Sequence, residues 1–549
     1  MAKKVAKPIE IPRGKLIGQN GPGSLYIDTE GISYVISAAD KWFSTNQRLN
    51  LNKLEIREPR LERLLKVKSF REVPQYVSPY GFENKENTGI SVPIQRFPLA
   101  HYCTKCGYFK DFYPVNSLKT SYCSHCEKDT VFTQFPIIVV CSSGHMIDFP
   151  YFRYAHVKSQ SDSSSNHSVR LIREGSSILN WTLKCECGAI HGLSGVTGQS
   201  HEDGPTPYQK EMGGHAKCFG HKPWTGEKQS EECECKPTAI LRNSISNYSA
   251  ETVSALSIST NDNFLDADYE AIKSDEFSRL TLKIEEDKLD VQNSFSAENA
   301  IIKNVNYVFR LEEIVVQVGF HRLSASDEAQ NWNKISQNQV GNMLFSNDIK
   351  VPDWYPAKKQ YGEGVFIEFN SDVLEAWTKE KEVMKRQNNL LNRVGDFYMA
   401  DRFNSPVEVM VHTFSHALIH QFSLKSGYPI TSIREKIYSN KNEIGLLLYV
   451  TDSDKDGTFG GLVRLAEETK FKSNVNEALR SLDWCSSDPV CFELGESFGQ
   501  GIHNSNGSAC HNCSYVPDTA CSYRNSFLDR DYIGRTDSEI SITNFANIF

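Results

Sequence analysis

The sequence lacks any apolar run long enough to cross a membrane. Its longest runs, 135–141 and 444–450, hold about seven residues each, whereas a membrane-spanning helix needs about twenty. The N-terminal segment is basic and no apolar segment follows it, so we expect no signal peptide. We therefore expect a cytoplasmic protein whose fifteen cysteines stay reduced.

The sequence also lacks the phosphate-binding loop of nucleotide-driven motors, because no G-x-x-x-x-G-K-[S/T] motif occurs in it. An overall positive field is missing too, since the formal net charge is −8. A protein of this charge does not attract nucleic acid through its whole surface, so any contact with DNA must be local. We predict that the protein is not an enzyme and that any ATPase is supplied by a partner chain.

Cysteine is abundant instead, and its spacing points to metal. Two C-x-x-C motifs, Cys103 to Cys106 and Cys123 to Cys126, are separated by sixteen residues. This spacing is typical of a zinc ribbon, in which each pair lies at the turn of a β-hairpin and four thiolates close a structural site.

A second group of five cysteines follows a Ser-rich loop at 158–168. We predict an all-thiolate zinc site formed by Cys185, Cys187, Cys218 and either Cys233 or Cys235. Spacing does not decide between the last two, and we take Cys235 as the working assignment.

The last five cysteines predict a third zinc site near the C-terminus. The selected ligands are Cys491, Cys510, Cys513 and Cys521, and Cys485 is the substitute if the upstream loop closes differently. His503 and His511 are held in reserve. For the five cysteines near the C-terminus, the alternative is a disulfide cluster or plain buried thiols, and a reducing compartment disfavours the disulfides. The expected content is therefore about three zinc ions per chain.

Two histidine-containing segments offer a catalytic alternative. Cys141, His145, Asp148 and His156 lie within sixteen residues, directly after an apolar strand. His412, His416 and His420 share one helical face, but the H-E-x-x-H motif of zinc proteases is absent. We favour core-packing or interface roles for both sets of histidines, and keep a metal-dependent hydrolase or nuclease as the rival function.

Length and composition predict a multi-domain α+β protein, in which a zinc ribbon and further Cys-rich zinc modules surround an α/β body. Residues 246–400 hold no cysteine and alternate charged helical stretches with strand-like segments. An acidic turn at 452–457 imitates the start of a calcium loop but lacks its final acidic ligand. The predicted regions are an N-terminal α/β region (1–95), the zinc ribbon (96–140), a second Cys-rich region (141–245), the α/β body (246–400) and a C-terminal zinc-binding domain (401–549).

The C-terminal motifs resemble a known zinc-binding domain. The run His412-Thr-x-Ser-His416 is followed by Asp456-Gly-Thr-x-Gly460-Gly, by Trp484-Cys-Ser-Ser-Asp-Pro-x-Cys491 and by Ala509-Cys-His-x-Cys513. These runs are similar to the MrfA-type zinc-binding domain at the C-terminus of certain bacterial helicases. The resemblance implies that four cysteines of this region hold one metal ion.

Shorter motifs extend the resemblance over nearly the whole chain. Gly21-Pro-Gly23-Ser, Gly144-His145, Cys185-x-Cys187-Gly and Tyr361-Gly-Glu-Gly364 resemble the DrmB family of the bacterial DISARM anti-phage system. This resemblance implies a partner, a DrmA-like DNA helicase that supplies the ATPase, and contact with DNA through the complex.

The leading hypothesis is a non-enzymatic zinc-binding subunit that associates with such a helicase and supports its engagement of DNA. A third reading is an autonomous zinc-ribbon DNA-binding protein, because Lys105, Lys110, Lys119 and Lys128 surround the ribbon. Strong dependence of DNA affinity on salt, without any helicase, would favour that reading.

Overall fold

A computed structural model of the chain describes residues 9–43, 49–74, 76, 86–113, 119–159, 167–198, 204–226, 233–259, 268–323, 343–349, 351–395, 397, 400, 402–440, 442–452 and 460–549. Most of the Ser-rich loop and of the acidic turn at 452–457 lies outside these residues. Within the described ranges, no helix has the length and apolar character needed to cross a membrane.

The named strands lie between residues 25 and 452, and the helices are concentrated in the second half of the chain. The strands are β1 (Leu25–Ile27), β2 (Ser33–Ile36), β3 (Glu55–Ile56), β4 (Ser69–Glu72), β5 (Ile94–Arg96), β6 (Ala100–Cys103), β7 (Phe109–Asp111), β8 (Thr120–Cys123), β9 (Lys128–Gln134), β10 (Ile137–Val140), β11 (Met146–Asp148), β12 (Val169–Arg173), β13 (Trp181–Cys185), β14 (Ile190–Gly192), β15 (Thr238–Leu241), β16 (Ser249–Leu256), β17 (Ile284–Glu285), β18 (Leu289–Ser296), β19 (Ile302–His321), β20 (Trp354–Phe369), β21 (Ile433–Asn440) and β22 (Glu443–Asp452). The helices are α1 (Arg13–Leu16), α2 (Pro59–Leu65), α3 (Tyr151–His156), α4 (Pro207–Met212), α5 (Tyr269–Thr281), α6 (Ser371–Thr378), α7 (Lys381–Val394), α8 (Pro406–Ser426), α9 (Glu468–Asp483), α10 (Val490–Ser497) and α11 (Ile542–Phe545).

One large sheet, built on two long strands, forms the centre of the molecule. Its main order is β17-β18-β19-β20-β22-β21, and β16 and β4 pair with the remaining lengths of β19 and β20. Neighbouring strands of this sheet are mostly antiparallel. Strand β4 is the exception and runs parallel to β20, with Ser69 opposite Trp354. The N-terminal region therefore shares a sheet with the body of the chain.

Four smaller sheets carry the first half of the chain. Their orders are β1-β2-β5, β7-β6-β9-β8, β11-β10-β15 and β12-β13-β14. Several of their turns contain cysteines, as described below. The predicted α+β class with several Cys-rich modules is confirmed, whereas the predicted domain boundaries stay predictions.

Helix α8 is the centre of the largest apolar core. Ser405 and Glu408 form a reciprocal capping box at its start, Pro406 occupies its first turn, and Gly427 ends it with a φ of 84°. These are the sequence features that begin and end helices. Most of its side chains are buried, because other helices and strands pack around it. Its histidines therefore face protein on nearly every side.

Two leucines of α8 test how strongly the fold depends on this packing. Leu418 is fully buried, whereas Leu424, on the same helix, is 78% exposed. We expect Leu418→Ala to lower the free energy of unfolding by about 2–5 kcal/mol, because it removes buried methyl groups and leaves a cavity. Leu424→Ala should change it by less than about 0.5 kcal/mol. Urea titration of both variants, with zinc present, measures the difference, and equal losses would contradict the assignment of α8 to the core.

Candidate metal centres

The four ribbon cysteines lie together at two neighbouring hairpin turns. Cys103 and Cys106 belong to the β6–β7 turn, and Cys123 and Cys126 to the β8–β9 turn. The first turn needs a glycine at position 107. Gly107 has a φ of 79°, and a Cβ atom there would clash with the Leu171 carbonyl oxygen. The local fold thus turns all four sulfur atoms toward one point.

The distances in the ribbon suit zinc and not disulfides. Cys106 Sγ lies 3.5 Å from Cys123 Sγ, and Cys103 Sγ lies 3.9 Å from Cys126 Sγ. A disulfide bond is about 2.0 Å long. A tetrahedral site with zinc–sulfur bonds of about 2.3 Å places its sulfurs about 3.8 Å apart. The donor set therefore fits Zn²⁺, and all fifteen cysteines are free thiols.

Hydrogen bonds prepare one ribbon sulfur for ligation. Cys103 Sγ lies 3.2 Å from the Thr130 hydroxyl. Burial by itself raises the pKa of Cys103, but hydrogen bonds from Thr130 and from backbone amides outweigh it and lower the pKa to about 6. The thiolate is the form that binds metal, so this environment favours ligation.

A second cluster joins the turn after β10 to two distant cysteines. Cys141, His145, Cys218 and Cys233 place their ligand atoms within 4.8 Å of one another. Cys141 Sγ lies 3.4 Å from His145 Nδ1 and 3.6 Å from Cys218 Sγ. A backbone hydrogen bond of 3.1 Å from Cys233 to Cys218 holds these two segments side by side.

A third cluster uses two histidines that none of the three predicted zinc sites included. Cys185 and Cys187, in the β13–β14 turn, lie with His156 at the end of α3 and His167 just before β12. His156 Nδ1–H donates to the Phe152 carbonyl at 2.7 Å, which leaves its Nε2 lone pair facing Cys187 Sγ at 3.3 Å. This arrangement fixes the histidine tautomer that a metal needs.

The structure divides the cysteines of the predicted second site between these two clusters. Cys218 does not lie with Cys185 and Cys187 but with Cys141 and His145, and the fourth member of that cluster is Cys233. Cys235 instead places its sulfur 2.8 Å from the Ser143 hydroxyl. The prediction paired cysteines alone, whereas each of these clusters mixes cysteine with histidine.

A fourth cluster contains Cys485, Cys491, Cys510 and Cys513. Cys485 Sγ and Cys510 Sγ are 3.6 Å apart, and Cys510 Sγ and Cys513 Sγ are 3.9 Å apart. Backbone N–H groups point at the sulfurs, from Ser487 to Cys485 and from Asn512 to Cys510, both at 3.4 Å. The site is an all-thiolate one that fits zinc.

The C-terminal cluster differs from the predicted ligand set at one position. Cys521 does not join the other three cysteines, and Cys485, the substitute, takes its place. Cys521 lies instead beside His412, His416 and Glu435. The two reserve ligands, His503 and His511, do not belong to the fourth cluster. The His503 ring contacts Phe397, and the His511 ring contacts Tyr515.

The structure separates the residues of the catalytic alternative. Cys141 and His145 belong to the second cluster and His156 to the third. Asp148 accepts hydrogen bonds from the backbone N–H groups of Leu99 and Ala100 at 2.7 and 3.0 Å. His420 does not join its two helical neighbours, because its Nε2 contacts the Tyr515 carbonyl at 3.1 Å.

Comparison with known proteins places these clusters in two regions. Residues 12–249 match a family described as a domain of unknown function (DUF8724), and residues 414–514 match the MrfA Zn-binding domain. The first range contains the ribbon and the two clusters with histidine. The second contains Cys485, Cys491, Cys510 and Cys513 and ends before Cys521, in agreement with the membership of the fourth cluster.

The fold and the clusters thus define a protein with an MrfA Zn-binding domain in its C-terminal part and with further Cys/His clusters that could each hold a metal ion. The DISARM protein DrmB of Bacillus paralicheniformis is 28% identical over 577 aligned residues, which cover 90% of this chain and 96% of the relative. The chain is a homologue of DrmB, and the resemblance drawn from its motifs is confirmed.

Two nearby cysteines, Cys233 and Cys235, test which of them belongs to the second cluster. We expect Cys233→Ser to lower the zinc content of the purified chain by about one ion, because a structural site needs all four ligands. Cys235→Ser is the matched control and should keep the full content, since its sulfur is outside the clusters found among the described residues. Elemental analysis measures both, and loss of zinc from the Cys235 variant alone would restore the original assignment.

Proposed function

We propose that the chain is a non-enzymatic, zinc-stabilised subunit of a bacterial DISARM anti-phage system, and that it works by binding a separate DrmA-like DNA helicase. The observation that carries this proposal is the length of the match to DrmB, which covers nearly all of both proteins. A match of this extent reflects a shared whole protein rather than one borrowed zinc module.

The chemistry of the metal clusters supports a structural role for the zinc. Catalytic zinc usually has three protein ligands and keeps one position for water. Two of the clusters offer four cysteines each, and two others offer cysteine with histidine in sets of four. Four protein ligands close a tetrahedral site, so we propose that these ions shape the protein and take no part in a reaction.

A cavity rich in lysine and arginine supports contact with DNA. Its volume is about 1040 Å³, and it lies among the N-terminal segment, α5, β16, β19, β21 and the loop at 518–526. Seven lysines and arginines line it against four aspartates and glutamates. The positive side chains are Lys15, Lys273, Lys358, Arg402, Arg434, Lys436 and Arg524.

The electrostatics of this cavity favour an anionic ligand. Burial, aided by nearby Arg402, lowers the pKa of Lys273 to about 7. Burial also lowers the pKa of Lys358, to about 8. A phosphate group would offset the cost of burying these charges, because an opposite charge favours the charged form of a lysine. We propose that the cavity receives the backbone of a DNA strand presented by the helicase.

Association with the helicase is tested with variants of two closed sites. We expect Cys106→Ser and Cys513→Ser to lower zinc content, soluble yield and recovery with an affinity-tagged DrmA-like helicase of the same host. The physical reason is that zinc ligation orders loops that bury little apolar surface. Cys235→Ser is the control and should behave as the unaltered chain.

Two outcomes would contradict the proposal. Failure of the unaltered, zinc-loaded chain to bind the helicase would remove the proposed partner. Full helicase binding by folded variants that have lost zinc would show that these sites do not shape the binding surface.

Contact with DNA is tested through salt dependence. DNA affinity falls as salt concentration rises, and each phosphate contact adds about one unit to the slope of log affinity against log salt concentration. We expect the double variant Lys15→Ala, Arg524→Ala to have a shallower slope, by about one unit for each phosphate contact that is lost. Lys379→Ala is the control, because this exposed lysine pairs with Glu375 on the same helix at 2.7 Å. Dissociation constants for single-stranded DNA, measured on the helicase complex over a salt series, give the slopes. Equal slopes for all three proteins would exclude the cavity as the DNA site.

A further inference from the structure

We infer that His412, His416, Glu435 and Cys521 form a fifth metal site, which binds zinc. Their ligand atoms all lie within 4.8 Å of one another. The range matched by the MrfA Zn-binding domain, 414–514, leaves out two of the four residues. This site is independent of any helicase and does not rest on the proposed function.

The distances between the ligand atoms suit one small cation. His412 Nε2 lies 3.3 Å from Cys521 Sγ and 3.3 Å from Glu435 Oε1, and His416 Nε2 lies 3.7 Å from the same oxygen. Zinc bonds of about 2.0–2.3 Å to N, O and S place tetrahedral ligands about 3.3–3.8 Å apart. The four atoms therefore already have the spacing of a coordination shell.

Both histidines are held in the orientation that ligation needs. His412 Nδ1–H donates to the Phe527 carbonyl at 3.3 Å, and His416 Nδ1–H donates to the Ser514 carbonyl at 2.7 Å. A proton on Nδ1 leaves the lone pair on Nε2, and metal-binding histidines are usually fixed by such a second hydrogen bond. Both Nε2 atoms face Glu435.

The other two ligands are held by hydrogen bonds as well. Cys521 Sγ accepts from the backbone N–H groups of Tyr523 and Asn525, at 3.2 and 3.3 Å. These bonds have the same form as those to Cys485 and Cys510 in the fourth cluster. Glu435 accepts from the Ser415 hydroxyl and from the backbone N–H of Ser522.

An ion pair without metal accounts for only part of this arrangement. A protonated His412 could pair with Glu435 at 3.3 Å, but His416 Nε2 lies 3.7 Å from the same oxygen and would remain buried without a hydrogen bond. A buried polar atom without a partner costs about 1–3 kcal/mol. One cation would satisfy His416 Nε2 together with the carboxylate and the thiolate, so the geometry favours a metal.

Burial assigns this site a structural role. His412 and His416 are fully buried, Glu435 and Cys521 are nearly so, and four protein ligands close a tetrahedral shell. The ligands come from α8, from β21 of the large sheet and from the C-terminal loop. Since Ser514 directly follows Cys513, His416 also links this site to the fourth cluster. The metal would fasten the C-terminal loop to the central sheet.

The zinc content of full-length variants tests the inference. We expect His416→Asn and Cys521→Ser each to bind about one zinc fewer than the unaltered chain, because each removes one of four ligands. His420→Asn is the matched control, one turn further along α8, and should keep the full content. Unchanged zinc content in both ligand variants would overturn the inference.

A second measurement covers the case in which a ligand variant fails to fold and loses several ions. Anomalous scattering from crystals of the unaltered full-length chain, collected at the zinc absorption edge, locates each ion. A peak bonded to His412, His416, Glu435 and Cys521 is the expected result. Anomalous peaks at the four other clusters, with no peak at His412, His416, Glu435 and Cys521, would overturn this site. That result would leave the proposed function unaffected.

Discussion

Thiolates that converge on one point repel one another, and much of this molecule depends on a cation to hold them there. The ribbon shows the dependence most clearly, because its own hydrophobic cluster consists of Phe112 and Phe132 with the cysteines themselves. So small a core cannot offset the entropy of ordering two hairpins. Structural zinc ligation is worth about 10–16 kcal/mol in small zinc-finger peptides, which is enough to do so. In the ribbon, metal coordination supplies the stabilisation that apolar packing supplies around α8.

Local spacing predicted the clusters whose ligands are close in sequence and failed where they are not. The ribbon was predictable because each C-x-x-C pair forms its own turn. The second site was not, because pairing of β12 with β13 brings Val169 opposite Cys185 and so places His167 near the cysteines. A C-x-C motif with histidines on the flanking elements was the available signal. At the C-terminus, the prediction selected Cys521 and kept Cys485 as the substitute, and only the fold distinguishes them.

The histidines of α8 illustrate a different limit. Their burial was predictable from the apolar sequence of the helix, and the structure confirms that both His412 and His416 are core residues. Glu435 gave no signal, because one glutamate in a strand is usually solvated. Its position opposite Leu448 within the large sheet directs it into the core beside α8. Chemistry that depends on such a residue becomes visible only once the strand register is known.

The parallel pairing of β4 with β20 has a consequence for how the chain is made. Trp354 lies opposite Ser69, about 285 residues later in the sequence. At a synthesis rate of about 5–20 residues per second, β4 waits about 15–60 seconds on the ribosome before its neighbour is made. The cysteines of the ribbon and of the second and third clusters all emerge during that interval. These cysteines are therefore available to bind zinc before the central sheet is complete.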